Sequence, residues 1–569
     1  MHAQRYRIYS EYGSSDRFWL ALIFVFCAAI MAAIPIFGIP EGYDVPQHLR
    51  FAATFHDALS SGQLVPGWAG VDNHGFGSIG TRIYPPVADY LLALTQMVTG
   101  DWYRSFWIDS FFWMFLGCVG AYLWTKEFAP AWQAAAAAGL YAVIPYRLLE
   151  IYQFVLFSEF AASAVLPFCF LGATRVIRRG RMTDVLLLAV SVAVLVLTHI
   201  PTTLIGGLTL AVYCAFLIDR RSPWRALRQT ATALALSLAA TSFYWLRLVT
   251  EMAWVKHSTA EYSSGFYDYR RHFFPIYLSY GEWYWQRLFW LLDIGIVLTI
   301  VFALPIVWMA LARHRSSDSR FDRRLSLALA AGAVFPLFML SKLSEPLWTY
   351  LPALEKIQFA WRFLSAASLV CAISFAVAVP RIAAGFPSLK KGFAYSSIAL
   401  VLCVVLYDVT QTILPAAPLP PEKFAEKLAD MRTEEGCSCW WPVWATDKAF
   451  ERREPVDAGE RAARVVTWDR EHRAFIVGAG APTAARVATF YYPHWQAVVN
   501  GHETPVSRDE NGAITLELPA EASTVELRIV EPARLYAAQI VSLSAWLMML
   551  FASIAAARGR IRGLVVNSR

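Results

Sequence analysis

A carboxylate and an imidazole stand one helical turn apart in Glu41-Gly42-Tyr43-Asp44-Val45-Pro46-Gln47-His48, directly after the first long apolar run. Asp44 suits two roles: N-cap of a helix opened by Pro46, or general base toward a hydroxyl bound above it. His48, four residues on and on the same face, either orients Asp44 or a bound phosphate or is simply solvated. Arg82, in Thr81-Arg82-Ile83-Tyr84-Pro85-Pro86 after the glycine-rich stretch 67–80, is a cation for a lipid headgroup or for bidentate grip on a lipid-linked phosphate. Arg147, in Pro145-Tyr146-Arg147-Leu148-Leu149-Glu150, has Glu150 and Glu159 as candidate partners. Glu159 lies inside an apolar run, where an ionisable side chain costs about 2.5 to 3.5 kcal/mol on insertion scales, and therefore pairs or lines a polar cavity. His199 and Arg362 sit at the ends of other apolar runs, and Asp293 lies within one without an assigned role. No phosphate-binding loop, dinucleotide fingerprint, zinc spacing or nucleophile elbow occurs in context, which argues against nucleotide-driven chemistry.

The elements that must position these groups are membrane spans. Of 569 residues, 57% are hydrophobic and 16% charged, against about 45 to 50% and about 25% in soluble domains. Apolar runs at 18–39, 105–125, 132–149, 156–174, 185–201, 204–218, 231–248, 288–310, 325–340, 359–379, 396–414 and 536–557 give about twelve spans. The 22 Trp and 25 Tyr suit the two headgroup belts. Basic connections alternate: Arg5 and Arg7; Arg175, Arg178, Arg179 and Arg181; Arg220, Arg221, Arg225 and Arg228; Arg313 and Arg315 all fall on one side. That side is cytoplasmic by the positive-inside rule, so both termini face the cytoplasm. The first run is too long for a cleavable signal and is expected to stay as an anchor. The net charge of +7 needs no nucleic acid partner.

Three outward segments are too long to be turns: 40–104, 249–287 and 415–532. The first holds two amphipathic stretches, 46–59 and 85–98, expected to lie in the membrane surface. Segment 415–532 opens on a proline-rich connector and then alternates apolar and polar residues, as a small β-rich domain does, with Asn500-Gly501 as a two-residue hairpin turn. The division expected is 1–414 as the transmembrane domain, 415–532 as the extracytoplasmic domain, and 533–569 as the last span with a basic tail. Trp440, Trp441 and Trp444 are available for stacking on sugars or for packing. Cys437 and Cys439 form a bridge, pair between chains, or remain free thiols.

These pieces together resemble the bacterial multi-pass proteins carrying the "6-pyruvoyl-tetrahydropterin synthase-related" membrane domain, close to the YfhO-like proteins and within the GT-C glycosyltransferase superfamily. The likeness rests on Tyr84-Pro85-Pro86, Pro145-Tyr146-Arg147-Leu148-Leu149 with Glu159, Ser344 to Trp348 followed by Gln358-Phe359-Ala360-Trp361-Arg362-Phe363, and Tyr492-Pro493-His494-Trp495 with Asn500-Gly501. Ala360 stands where the pattern usually has Pro, His494 where it has Gly, and an Arg-Gly pair expected near Phe154 is missing. Despite the label, the histidine spacing of a zinc-dependent pterin synthase is absent.

The resemblance implies a GT-C-like fold in the bacterial cytoplasmic membrane with its active site facing outward. It implies inverting transfer of a sugar from a polyprenyl-phosphate donor to an extracytoplasmic glycan, lipid or protein acceptor. Asp44 is then the base, His48 and Glu159 orient it or bind acceptor, and Arg82, Arg147 and Arg362 bind the donor phosphate. The lipid chain would lie near Tyr262, Phe266, Tyr267, Tyr269 and Trp283. A divalent metal is left open, with Asp44, His48 and Glu159 as ligands if they converge. The alternatives are a non-catalytic envelope or polysaccharide assembly protein and a lipid-linked sugar flippase.

Overall fold

The computed structural model describes residues 14–42, 44–312 and 320–567; Tyr43, Arg5, Arg7, Arg313 and Arg315 lie outside the described residues. Eight helices there are long and apolar enough to cross a bilayer, or ten if each of two bent pairs is one span. The first pair, Ala131–Val143 and Pro145–Tyr152, bends by 43°. Pro145 is the cause: the residue before a proline is driven out of the helical region, and Ile144 sits at φ −65°, ψ 131°. The second, Trp224–Ala240 and Ser242–Trp254, bends by 71° at Thr241, whose hydroxyl donates to the Ser237 carbonyl at 2.8 Å. Two of the twelve expected spans are shorter helices, Met182–Val196 of 15 residues and Arg323–Met339 of 17. About 20 residues cross a hydrocarbon core of about 30 Å, so length alone does not carry either across.

Small residues let the central helices approach closely. A Cβ on Gly117 of Trp102–Thr125 would stand 3.1 Å from the Ala164 backbone in Phe157–Arg178. Asp293 also finds its role here. Its two carboxylate oxygens accept the backbone amides of Ile276 (3.0 Å) and Tyr277 (3.1 Å), tying the second long loop onto helix Trp283–Leu311. Asp293→Ala is expected to strand the buried Ile276 amide and the part-buried Tyr277 amide and cost about 1 to 3 kcal/mol, read as a fall in the midpoint of thermal unfolding in detergent.

The first long loop carries two helices, Val45–Ser60 and Val87–Thr99, and both are largely buried on their inner faces. The C-terminal domain has two antiparallel sheets. One has Val456–Asp457, Thr483–Phe490, Ala513–Leu518 and Ser507–Arg508 in that order; the other has Ala463–Trp468, His472–Val477, Ser523–Ile529, Trp495–Val499 and His502–Thr504. Asn500 and Gly501 turn the hairpin between Trp495–Val499 and His502–Thr504 at φ 51° and 84°, in register Val499 with His502. Positive φ at both positions is what a twist-matched two-residue turn demands, and Asn and Gly meet it at least cost. The core of this domain is not its own alone: Trp68, Phe76 and Ile79 of the first loop and Val255 of the second pack with Phe475, Val487 and Leu527. Gly77 shows how close that packing is, since a Cβ there would collide with the Trp68 indole.

Candidate functional site

Asp44 stands at the N-cap position of Val45–Ser60, yet its side chain makes no capping bond. The backbone does the local work, the His48 amide donating to the Asp44 carbonyl at 3.1 Å. Among the described residues none hydrogen-bonds the Asp44 carboxylate, which is half-buried. The chain before it is held down tightly, because a Cβ on Gly42 would overlap the Val155 side chain and the Phe154 carbonyl. Burial raises Asp44 above the ordinary carboxylate range, while the charges of His48 and Arg362 pull it back down.

His48 is buried on the same helix, and its Nδ1 lies 2.9 Å from Oδ1 of Asp89, which is 0% exposed. Burial would lower the imidazole, but Asp89 and then Asp44 outweigh it and hold His48 above its usual value. Tyr84 and Phe157 pack edge-on against the ring. Tyr146 donates to Oε1 of Glu159 at 2.6 Å, and Oε2 of Glu159 pairs with Nε of Arg362 at 3.1 Å. The Arg362 guanidinium lies over the Phe359 ring and bonds the Ile357 carbonyl. The bend at Pro145 places Tyr146, and Arg362 falls in the turn Ala360–Phe363 that opens helix Leu364–Gly385. His199, at the head of Ile200–Leu217, feels the charges of both Arg362 and His48.

The roof comes from two other segments. Trp440 packs on Phe51 and Tyr84 of the first loop and stacks on His257 of the second at 5.2 Å. Burial pushes His257 down to about 4, so it is neutral near pH 7. Segment 436–443 is stitched to both loops: Gly436 N to Asn73, Cys437 N to Gln47, Ser438 with Tyr262, Ile79 N to the Trp440 carbonyl and Lys256 N to the Trp441 carbonyl. Cys437 and Cys439 are bridged to each other.

Other candidates lie elsewhere, and for different reasons. Arg82 is fully occupied by carboxylates: Glu251 takes Nε and, at 3.0 Å, Nη2, while Glu531 takes Nη1 at 2.5 Å and Nη2 at 2.7 Å. Tyr492 and His494 bond the same Glu251 at 2.7 and 3.0 Å, and Arg247 reaches Glu531 at 3.1 Å. The expectation of a phosphate-binding Arg82 is thereby corrected: its guanidinium fastens the first loop to the segment before the last helix. Arg147 is likewise fully buried, bound to Glu150 at 3.2 Å and the Phe160 carbonyl at 2.7 Å, and it faces helix packing. It pairs with Glu150, leaving Glu159 to Arg362. Trp441 is core, packed with Phe450 and Phe490, so it offers no face to a glycan. Trp444 is half-buried beneath Arg508 on the β-domain. Tyr269 stacks on Trp348 and Phe266 meets Phe359 edge-on, so part of the aromatic loop is packed against segment 345–363, while Trp283 stays exposed. Among the described residues, no group of three His, Cys, Asp or Glu is placed to hold a metal; Glu159 turns to Tyr146 and Arg362 instead.

Asp89 and His257 are the site residues that sequence reasoning passed over. Asp89 falls in the first turn of a helix, where an acid is expected for the helix dipole alone. The usable signal was two polar residues, His48 and Asp89, each on the apolar face of its own amphipathic helix.

Architecture and site together define a polytopic helical membrane protein whose β-rich domain folds back over a buried acid, imidazole and guanidinium cluster. The chain belongs to the family described as the 6-pyruvoyl-tetrahydropterin synthase related domain, a membrane protein family, whose sequence model matches residues 81–414. No curated protein matches the chain significantly. Among solved structures, it is similar to the mycobacterial arabinofuranosyltransferase AftD, with 16% identity and a TM-score of 0.45 over 73% of this chain. The chain spans only 30% of the length of that structure. It is also similar to ArnT from Cupriavidus metallidurans bound to undecaprenyl phosphate, with 14% identity and a TM-score of 0.41 over 74% of this chain and 76% of that one. The Archaeoglobus fulgidus oligosaccharyltransferase follows at 13% identity and 0.39, over 76% of this chain and 57% of that one. Scores of this size leave the activity to be read from the chain's own residues.

Proposed function

We propose that this chain is an integral membrane glycosyltransferase of the GT-C type, moving a sugar from a polyprenyl-phosphate carrier to an acceptor hydroxyl outside the cytoplasm with inversion at the anomeric carbon. The observation that carries the reading is the Asp44 carboxylate: half-buried, bonded to no described residue, and within the fields of His48 and Arg362. Asp44 takes the acceptor proton as the hydroxyl oxygen attacks the anomeric carbon. The bond from that carbon to the phosphate oxygen breaks on the opposite face, and the carrier leaves as a polyprenyl phosphate with one more negative charge. Arg362, partly open, paired with Glu159 and near enough to act on Asp44, is the cation for that charge in place of Arg82 and Arg147. Trp440 in the roof is the tryptophan that stacks on acceptor sugar, with Trp444 as an outlying contact on the β-domain. The basic connections support a cytoplasmic membrane location with the site facing outward.

The test is transfer of labelled sugar by the purified protein from a panel of synthetic polyprenyl-phosphate sugars, with the anomeric configuration of the product read by NMR. Inverted product supports the reading. No transfer from any donor, with normal function of Asp44→Asn in cells, would replace it with the assembly or flippase reading. A pH profile sharpens the test. Because Asp44 must be ionised to act and burial raises it, the acid limb of kcat/KM is expected above the ordinary carboxylate value of about 3.9. Arg362 lowers Asp44, so Arg362→Gln moves that limb to higher pH.

A further inference from the structure

His48 and Asp89 form a pair that the proposed transfer, as described so far, leaves unused. The two residues come from different helices of the first loop and are 41 positions apart. Asp89 is 0% exposed, and its second oxygen has no partner among the described residues. A carboxylate buried this deeply is costly unless it serves a neighbouring charge. Its one described partner is Nδ1 of His48, and a ring nitrogen fixed in this way sets the role of the other. Nε2, on the far edge of the ring, bonds no described residue. The charged and titratable groups facing His48 are Asp89 from Val87–Thr99, Asp44 at the head of its own helix, Tyr84 from the intervening turn, and His199 from the head of Ile200–Leu217.

We propose that Asp89 is a positioning residue that fixes Nδ1 of His48 and thereby presents Nε2–H to the carrier phosphate beside Asp44. This rests on the glycosyltransferase reading and deepens it: the phosphate is gripped from two sides, by Arg362 from the bundle and by His48 from the loop. No proton need leave His48 during transfer. The acceptor proton goes to Asp44 and the phosphate departs as its anion, held by a hydrogen bond from imidazolium that strengthens as its charge grows. Without Asp89, burial would leave the ring neutral and free to turn its acceptor nitrogen toward the phosphate.

The experiment measures affinity of the full-length protein in nanodiscs for a short-chain polyprenyl phosphate, carrying no sugar, between about pH 5 and 9. The wild type is expected to bind tightly while His48 is protonated and to lose affinity as pH rises through its raised value. Asp89→Asn removes the main charge and hydrogen bond that raise His48, so the loss is expected at lower pH than in the wild type. His48→Gln is expected to bind weakly and to lack that basic limb. A merely structural Asp89 would lower affinity at every pH without moving the limb. An unshifted limb in folded Asp89→Asn, or a wild-type limb persisting in His48→Gln should Asp89→Asn not fold, overturns the proposal. The readout is binding, so it stands apart from turnover. Normal binding limbs with no sugar transfer from any donor would sink the enzymatic reading and keep the His48–Asp89 anion site.

Discussion

Asp44→Asn is expected to lower sugar transfer by about 10² to 10⁴-fold while donor binding is held. The amide keeps the size of the carboxylate and loses only the ability to take a proton. Nothing in the fold resists the change, since the Asp44 side chain neither caps its helix nor bonds another described residue. Removing its negative charge also leaves His48 and Arg362 less neutralised, so affinity for a phosphate is expected to hold or rise. The pattern sought is therefore a fall in kcat with KM for the donor unchanged or lower, and an unfolding midpoint equal to that of the wild type. Equal loss of kcat in Asp44→Asn and Asp44→Ala fits a base; full activity in Asp44→Asn would remove Asp44 from the chemistry.

Arg82→Ala is expected to act on stability first. Arg82 and Glu251 have fully buried side chains and Glu531 is 15% exposed, so removing the guanidinium leaves two carboxylates facing each other out of water. Breaking a buried pair typically costs about 3 to 5 kcal/mol. Glu251 keeps Tyr492 and His494, and Glu531 keeps Arg247, which favours the lower end, about 3 kcal/mol. Thermal unfolding in detergent checks this. Combining Arg82→Met with Glu251→Gln should recover much of the loss, since Glu531 keeps Arg247 and no buried carboxylate is then left uncompensated. An unchanged midpoint with a large rise in donor KM would instead restore Arg82 to the phosphate.

What the sequence made legible, and what it hid, follows from the range of the interactions involved. Apolar runs are local, so nearly every long helix and the Asn500-Gly501 hairpin could be read residue by residue, whereas the run 132–149 was read as one span and is broken at Pro145. The address of Asp44, between an apolar run and a proline-opened helix, is local too. Pairing is different. Which of three arginines meets a substrate depends on which carboxylates reach it first, and Glu531 reaches Arg82 across 449 residues. Glu150 sits three residues from Arg147, so that pair was in view, whereas the choice of Arg362 for Glu159 spans two helices. Periodicity put Asp89 on an apolar face but carried no sign that His48 waited opposite. The same limit explains Trp68 and Phe76: a glycine-rich loop reads as surface until the sheet that covers it, some 400 residues later, is known.

The order of synthesis gives the Arg82 network a meaning in time. Glu531 and the roof residue Trp440 lie late in the chain, whereas Asp44, His48 and Arg82 leave the ribosome early. At about 5 to 20 residues per second, Glu531 follows Arg82 by roughly 20 to 90 seconds. During that interval the nascent chain holds its carboxylate, imidazole and guanidinium without roof or clasp. Completion of the centre thus waits on delivery of the segment that carries Trp440 and Glu531, and not only on insertion of the helices around Asp44 and His48.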